Sequence, residues 1–401
     1  MTVSLFSNIA QAPADPILGL TEAFLADTNP GKVNLGVGVY QDGAGKVPVL
    51  DAVRKAEAQW YEKEDSKSYI PIDGVVAYNK EVQKLLLGTD SPLIAEGRAV
   101  TVQGLGGTGA LRVGGDFLKR FFPEAKLYIS NPSWENHLAL FTAAGFEVES
   151  YPYYDPQTHG ADFDAMLAYL KTLPAQSIIL LHACCHNPTG ADLTTAQWDT
   201  LVELFKGSDL IPYLDFAYQG FGDGIDEDAY AVRAFAAAGI SCLIASSFSK
   251  SLSLYRERVG ALTVITADAA ESKKVLSQLK RVIRTNYSSP AAHGGNVAAT
   301  ILADAELRTL WEGELAEMRN RIHKMRGLFV QGLKDRNVPQ DFGFIADQKG
   351  MFSYSGLTKE QVLKLRAEYS LYIVDSGRIC VAAMNEKNLP VICDAIASVL
   401  K

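Results

Sequence analysis

Four short polar segments, each directly after a short apolar run, carry residue types suited to chemistry on an aldehyde. In chain order they are Gly104 to Gly109, Cys185 to Gly190, Asp215 to Tyr218 and Ser246 to Lys250. Ligands of an open parallel sheet bind at the carboxyl ends of its strands, so we expect these segments to converge on one polar pocket. Among phosphate-binding hydroxyls and a cationic neighbour, the amine of Lys250 should have a lowered pKa and form a Schiff base.

Pyridoxal phosphate (PLP) is an aldehyde cofactor that such a lysine could hold, and its site requires three further groups. Asp215 follows the apolar run Ile211 to Leu214 and could pair with the protonated pyridine nitrogen. Tyr218 could reach the ring hydroxyl, and Arg258 could bind phosphate through two parallel bonds. Taken alone, the same residues could be a helix N-cap, a packed core tyrosine and a surface arginine.

The glycine run matches the dinucleotide pattern G-x-G-x-x-G at Gly104, Gly106 and Gly109. A dinucleotide site also needs an acidic residue at the end of the next strand, where this chain has Ser130-Asn131-Pro132. What remains is a helix N-terminus that could hold a phosphate. An NAD-dependent dehydrogenase stays open as an alternative of a different class.

Two further motifs give weaker predictions. Ser247-Phe248-Ser249-Lys250 matches the S-x-x-K of penicillin-recognising enzymes, but their Ser-Asp-Asn and Lys-Thr-Gly motifs do not occur in the sequence. His182, His186 and the Cys184-Cys185 pair could suggest zinc, yet one crowded cluster without a second ligand pair favours strand-end packing. We therefore predict no metal.

The elements that must position these residues show a regular alternation from about position 100 to 265. Six apolar runs are typical of strands buried on both faces: 100–102, 127–129, 177–181, 211–214, 242–245 and 261–265. Amphipathic segments at 110–121, 134–144 and 197–206 are typical of helices. The pattern predicts an α/β domain with a large, doubly wound, mostly parallel sheet.

The C-terminal part of the sequence predicts a smaller α+β domain. Apolar residues recur at helical spacing over 310–333, and strand-like runs at 350–354, 371–374 and 379–382 precede a closing helix from about Pro390. We divide the chain into an N-terminal segment, 1–48, that joins the small domain, a large PLP-binding domain, 49–309, and the small C-terminal domain, 310–401.

The composition excludes several classes of protein. The 401 residues are 48% hydrophobic and 21% charged, which is typical of a folded globular protein. The net charge of −8 opposes binding to nucleic acid, and no stretch of about 18 uncharged apolar residues predicts a membrane span. Five cysteines without a spaced framework, and a start without secretory features, predict a reduced protein of the cytoplasm.

From about Asp15 to its end, the chain resembles the class I aminotransferases, specifically the aspartate and aromatic amino acid subgroup. The resemblance is carried by Gly106 to Arg112, Asn131 to Trp134, Cys184 to Gly190, Asp215 to Gly220, Ser247 to Lys250, Tyr255 to Gly260 and Asn286 to Ser288. It implies PLP-dependent transferase fold type I, and cis peptide bonds before Pro132 and Pro188.

The resemblance also implies a role for each site residue. Catalytic residues would be Lys250, which forms the aldimine with PLP, Asp215 and Tyr218, with His137 supporting Asp215. PLP would further contact Gly107, Thr108, Trp134, Asn187, Ser247, Ser249 and Arg258, with Tyr69 reaching in from the second subunit of a homodimer. Substrate would contact Gly38, Trp134, Asn187, Arg378 at the α-carboxylate, and Arg284 of the second subunit at a distal carboxylate.

We therefore expect an aminotransferase with ping-pong kinetics. It would move the amino group of tyrosine, phenylalanine, tryptophan, aspartate or glutamate to 2-oxoglutarate or another oxo acid. A strict aspartate aminotransferase is the alternative within the family, because 350–358 has a form that aspartate enzymes share. A non-catalytic protein of this fold that binds PLP is a further alternative.

Overall fold

The computed structural model describes residues 4–12 and 18–401, a range that contains every predicted site residue. Its strands are β1 (Val33–Asn34), β2 (Ala99–Leu105), β3 (Leu127–Asn131), β4 (Val148–Pro152), β5 (Tyr154–Asp155), β6 (Gly160–Ala161), β7 (Ile178–His182), β8 (Ile211–Phe216), β9 (Cys242–Ser247), β10 (Val259–Ile265), β11 (Phe352–Tyr354), β12 (Leu371–Tyr372) and β13 (Arg378–Cys380).

Helices precede, connect and follow these strands. They are α1 (Leu18–Ala26), α2 (Asp51–Lys63), α3 (Val76–Leu87), α4 (Pro92–Ala95), α5 (Gly106–Phe121), α6 (Glu135–Ala143), α7 (Phe163–Leu170), α8 (Thr195–Lys206), α9 (Tyr230–Ala237), α10 (Ala269–Asn286), α11 (Ala292–Ala303), α12 (Ala305–Asp335), α13 (Phe344–Asp347), α14 (Lys359–Tyr369) and α15 (Leu389–Leu400). A 3₁₀ turn covers Val381–Ala383.

A seven-stranded sheet in the order β2-β10-β9-β8-β7-β3-β4 forms the centre of the molecule. Its strands pair in parallel except β10, which is antiparallel to both β2 and β9. The segment between β9 and β10 contains no helix, and a parallel return would need a crossover. The predicted mostly parallel α/β sheet is thus confirmed.

Helices cover both faces of this sheet, so its strands are apolar throughout. Along β7, Ile178 and Leu180 belong to one hydrophobic cluster, while Ile179 and Leu181 belong to another. Successive side chains of a strand point to opposite faces, which places one cluster on each side of the sheet. Burial on both faces explains why the sequence shows continuous apolar runs.

Two predicted boundaries differ from the structure. The helix after β2 begins at Gly106 rather than at Ala110, so most of the glycine run forms its first turn instead of a preceding loop. The predicted helix over 310–333 extends from Ala305 to Asp335, because the Asp304 carboxylate accepts the amides of Glu306 and Leu307 and caps its start.

The N-terminal segment contacts the C-terminal part of the chain. Strand β1 pairs in parallel with β12, with Val33 opposite Leu371 and Asn34 opposite Tyr372. The division at 48 and 309 stays a prediction. Residues 1–3 and 13–17, including the start of the resemblance at Asp15, lie outside the described residues.

Candidate active site

Loops at the carboxyl ends of the central strands enclose one cavity of about 250 Å³. Side by side in the register lie His182 of β7, Asp215 of β8 and Ala245 of β9. The cavity is lined by Gly38, Gly107, Thr108, Leu111, Trp134, Asn187, Asp215, Ala217, Tyr218, Ser247, Ser249, Lys250, Tyr255, Arg258, Phe352 and Arg378. The predicted convergence of the polar segments is therefore observed.

Lys250 follows β9, and its amine is influenced by the negative charge of Asp215 and the positive charge of Arg258. Burial lowers the pKa of the amine to about 8, with Asp215 raising it and Arg258 lowering it further. Its Nζ lies 4.8 Å from the centroid of the Tyr218 ring. At neutral pH a useful fraction of such an amine is unprotonated and nucleophilic.

Asp215 is a buried carboxylate held from behind by His137. Their Oδ2 and Nε2 atoms lie 2.9 Å apart. Burial raises the pKa of Asp215, but the hydrogen bond from His137 and the electrostatic effects of the neighbouring histidines and Lys250 outweigh this effect, so the pKa falls below its usual value. The carboxylate thus stays ionised and can stabilise a cation in the cavity.

Two further side chains continue this hydrogen-bonded chain behind the cavity. Ser133 Oγ lies 2.9 Å from His137 Nδ1 and 3.3 Å from His182 Nε2. Burial, together with the nearby His137, lowers the pKa of His182 to about 3, so its imidazole is neutral. The chain fixes the orientation of His137 and thereby that of Asp215.

Hydrogen-bond donors that could bind a phosphate dianion lie close to the start of α5. Ser247 Oγ lies 3.2 Å from Ser249 Oγ, and Arg258 Nη1 donates to Ser249 Oγ over 3.4 Å. Gly106, at φ 67°, has no room for a side chain, because a Cβ there would lie 2.5 Å from the Arg258 guanidinium. Free amides of the first helical turn add further donors and a positive dipole end.

Arg378 forms the opposite wall of the cavity and is 1% exposed. It donates to Gly36 O over 2.7 Å and to Asn187 Oδ1 over 3.4 Å, and its guanidinium lies 4.6 Å from the centroid of the Phe352 ring. Its Nε has no partner among the described residues. A buried guanidinium with a free donor can bind a carboxylate.

Asn187 joins the two walls of the cavity. Its Nδ2 donates to the Tyr218 hydroxyl over 3.4 Å, while its Oδ1 accepts from Arg378. Both residues are buried, and burial raises the pKa of Tyr218, which keeps the phenol protonated as a hydrogen-bond donor.

Two predicted site residues lie away from the cavity in the single chain. Tyr69 is 96% exposed and lines a separate surface groove with Trp60 and Pro290. Arg284 is exposed near the end of α10 and donates to Ser288. Since the resemblance assigns both to a second subunit, this separation within one chain is the expected arrangement.

The sequence prediction missed four lining residues: Leu111, Ala217, Tyr255 and Phe352. Tyr255 accepts the backbone amide of Tyr40 over 2.9 Å and so anchors the N-terminal segment at the cavity. Each lies within a motif or segment named above, but its side chain is indistinguishable in sequence from that of a core residue.

Among the described residues, the only group of three possible metal ligands is Cys184, Cys185 and Asp228. The Asp228 carboxylate already accepts the amides of Gly220, Gly222 and Asp223. This cluster excludes His182 and His186. Across residues 4–12 and 18–401, the structure contains no helix long and apolar enough to cross a membrane.

Comparison with known proteins gives consistent matches along the chain. Residues 30–396 match the family model described as aminotransferase class I and II. The sequence is 55% identical over 398 residues to the aspartate aminotransferase of Pseudomonas aeruginosa, covering 99% of this chain and 100% of that protein. It is 49% identical over 397 residues to the aromatic-amino-acid aminotransferase of Escherichia coli, covering 99% and 100% respectively.

A solved structure gives the same match in three dimensions. The aromatic-amino-acid aminotransferase of Burkholderia pseudomallei, covalently bound to pyridoxal phosphate, is 60% identical and superimposes with a TM-score of 0.97 over 100% of both chains. The fold is therefore that of the class I and II aminotransferases, and this chain belongs to that family.

Proposed function

We propose that the protein is a PLP-dependent aminotransferase that accepts both aromatic and dicarboxylic amino acids. The observation that carries this proposal is one cavity in which the Lys250 amine faces ionised Asp215, a donor cluster and Arg378. A nicotinamide dehydrogenase would leave this amine without a role. Aspartate, aromatic-amino-acid and tyrosine aminotransferases all occur among the relatives.

The residues present fit PLP group by group. The α5 N-terminus with Gly107, Thr108, Ser247, Ser249 and Arg258 would hold the phosphate, since all line the cavity and supply donors. A Cβ at Gly107 would lie 3.2 Å from Ser247 Cβ, which is a tight contact. Glycine at this position therefore leaves room for the phosphate to approach the backbone. Asp215 would face the ring nitrogen, and Asn187 with Tyr218 the ring hydroxyl. Trp134 would stack on the ring.

When bound, PLP supplies an electron-poor ring that stabilises negative charge at the substrate's α-carbon. The chain's own contribution is charge placement and proton movement. Asp215 would stabilise the cationic ring nitrogen, and Lys250 Nζ, whose pKa is about 8, could accept the proton that leaves the substrate's α-carbon. The same amine would hold the cofactor covalently between turnovers. We expect ping-pong kinetics.

Arg378 would bind the substrate's α-carboxylate through its guanidinium, because the residue lines the cavity. Leu111, Trp134 and Phe352 give the cavity an apolar part of its lining, which suits an aromatic side chain. Gly38 also lines the cavity. A Cβ at this position would lie 2.8 Å from Phe352 Cζ, so glycine allows the N-terminal segment to pack against that ring. Arg284 of a second subunit would receive a distal carboxylate.

A panel of amino donors with 2-oxoglutarate tests the proposal. Tyrosine, phenylalanine, tryptophan and aspartate should all give turnover, measured as glutamate formed. Turnover with aspartate alone would favour the strict aspartate aminotransferase. PLP binding without turnover on any donor would indicate a non-catalytic protein, and a response to added dinucleotide would indicate a dehydrogenase.

The proposed assembly is a homodimer with shared active sites. Tyr69 and the apolar side chains Leu5, Phe6 and Ile9 are exposed in the single chain, which is costly unless another surface covers them. Co-expression of Lys250→Ala with Arg284→Ala tests this arrangement. Random pairing should restore about one quarter of wild-type aspartate turnover, because half of the dimers then contain one intact site of two. Absence of any restored turnover would contradict it.

We also propose a cytoplasmic location. All five cysteines are free and buried, as expected for a chain kept reduced. Fractionation of the source cells with detection of the protein in each fraction would test this location.

A further inference from the structure

Glu135 places a carboxylate beside the arginine that would bind the substrate. It occupies the first turn of α6, directly after Trp134. Its Oε2 lies 3.5 Å from Arg378 Nη1. That oxygen is buried and accepts no hydrogen bond from any residue that the structure describes. The contact is thus an ion pair without a hydrogen bond, and the carboxylate keeps unused acceptor capacity.

The Arg378 guanidinium also has a donor without a hydrogen-bond partner among the described residues. Its neutral partners are the Gly36 carbonyl and the Asn187 amide oxygen, and Nε has no partner within the described part of the chain. Among the residues that the structure describes, Glu135 is the only carboxylate that forms an ion pair with Arg378. A buried cation is costly without a counter-charge, so Glu135 stabilises Arg378 in the absence of substrate.

We propose that Glu135 is a positioning residue that competes with the substrate's carboxylate for Arg378 and thereby weakens the binding of carboxylate ligands. The inference rests on the proposed function, in which Arg378 binds that carboxylate. A substrate carboxylate that accepts from both Nη1 and Nη2 gains two bonds and displaces the looser single contact of Glu135 at Nη1. Displacing Glu135 costs every carboxylate ligand the same free energy. Removal of Glu135 should therefore tighten the binding of simple carboxylates and of amino acids alike.

The test compares carboxylate binding in PLP-loaded variants. The probe is 3-phenylpropionate, the amino-free analogue of phenylalanine, and its Kd is measured by displacement of aspartate in steady-state inhibition. Glu135→Gln should lower this Kd about fivefold, as expected when a partly exposed competing charge is removed. The KM for phenylalanine should fall by a larger factor than kcat changes, a split that a loss of folding alone does not produce.

Two controls make the effect specific. Glu147→Gln removes the same charge from a surface pair with Lys126 and should leave the Kd of the probe unchanged. Arg378→Lys should weaken the probe by at least tenfold, because it removes the forked geometry. Glu135→Ala removes the carboxylate without adding an amide that could bind the ligand. It must shift the Kd in the same direction, and it replaces the glutamine variant if that variant does not fold.

The outcomes separate the inference from the proposed function. A lower Kd in both Glu135 variants, with Arg378→Lys weakened, supports competition. An unchanged or higher Kd in the Glu135 variants, with Arg378→Lys still weakened, overturns competition and leaves the proposed function intact. An Arg378→Lys enzyme that binds the probe as tightly as wild type overturns both.

Discussion

Replacing Asp215 by asparagine tests the charge on which the proposed chemistry depends. The substitution keeps the shape of the side chain and removes its negative charge from a position that is 8% exposed. Because the carboxylate has a lowered pKa, the wild-type residue carries that charge throughout the neutral range. The variant should bind PLP through its phosphate contacts and lose most of its turnover.

The magnitude follows from the setting of the carboxylate. An ion pair about 4 Å apart at an effective dielectric of about 20 is worth roughly 4 kcal/mol, which corresponds to about 10³-fold in rate. Loss of one preorganised electrostatic contact generally costs about 10²- to 10³-fold in kcat. We therefore expect kcat to fall by about 10²- to 10³-fold, with a much smaller change in PLP affinity.

A second readout concerns Lys250, whose pKa of about 8 contains opposing contributions. Asp215 favours the ammonium form, so its removal should lower the pKa of Lys250 below 8. In the PLP-free protein, the rate of reductive methylation of Lys250 rises as the amine loses its proton. Its midpoint should therefore move to lower pH in Asp215→Asn.

The assays are aspartate turnover at saturating PLP, cofactor titration by absorbance, and the pH profile of Lys250 modification read by mass spectrometry. Asp226→Asn is the matched control, because it removes an exposed acid that pairs with Arg233 outside the cavity. A PLP-loaded Asp215→Asn enzyme with kcat within about threefold of wild type would refute the assigned charge role, since that role requires about a hundredfold or more. A rise in the Lys250 midpoint would refute the sign of the coupling.

Three further predictions concern other positions. Lys250→Ala should abolish turnover and the absorbance band of the aldimine between Lys250 and PLP; retention of both in the purified variant would remove Lys250 from its role. Arg284→Ala should impair aspartate far more than phenylalanine in kcat/KM, whereas equal losses would exclude a distal-carboxylate contact. Arg326, fully buried, donates to four backbone carbonyls and the Ser353 hydroxyl. Arg326→Leu should lower the free energy of unfolding, measured in urea, by about 3–5 kcal/mol. A change below about 1 kcal/mol would contradict the conclusion that these hydrogen bonds stabilise the fold.

Much of the sheet could be predicted from sequence because its central strands are buried on both faces. Their apolar runs, such as 178–181 in β7, are continuous and hard to mistake. Strand β4 was not predicted, since this edge strand contains Glu149 and Ser150 and has only Tyr151 buried. The reversed direction of β10 was also not predicted, because hydrophobic pattern contains no information on strand direction.

The candidate site divides in a similar way. Polar residues at strand ends, such as Asp215 and Lys250, could be predicted because charge directly after an apolar run is unusual without a function. Phe352 and Tyr255 could not, since aromatic side chains near a cavity have the same pattern as core residues. Glu135 was missed because an acidic residue in a first helical turn is ordinarily explained by the helix dipole alone.

Each buried charged group of the cavity has a polar or charged neighbour that stabilises it. Arg378 faces Glu135, Asp215 faces His137, and Lys250 lies between the influences of Asp215 and Arg258. A general base that must later act as an acid works best with a pKa near the working pH. Burial alone lowers the amine's pKa and Asp215 partly restores it, so a value of about 8 results from the fold around Lys250 rather than from the lysine itself. It follows that substitutions of the neighbouring charges should change the pH optimum even where they leave every contact of Lys250 in place.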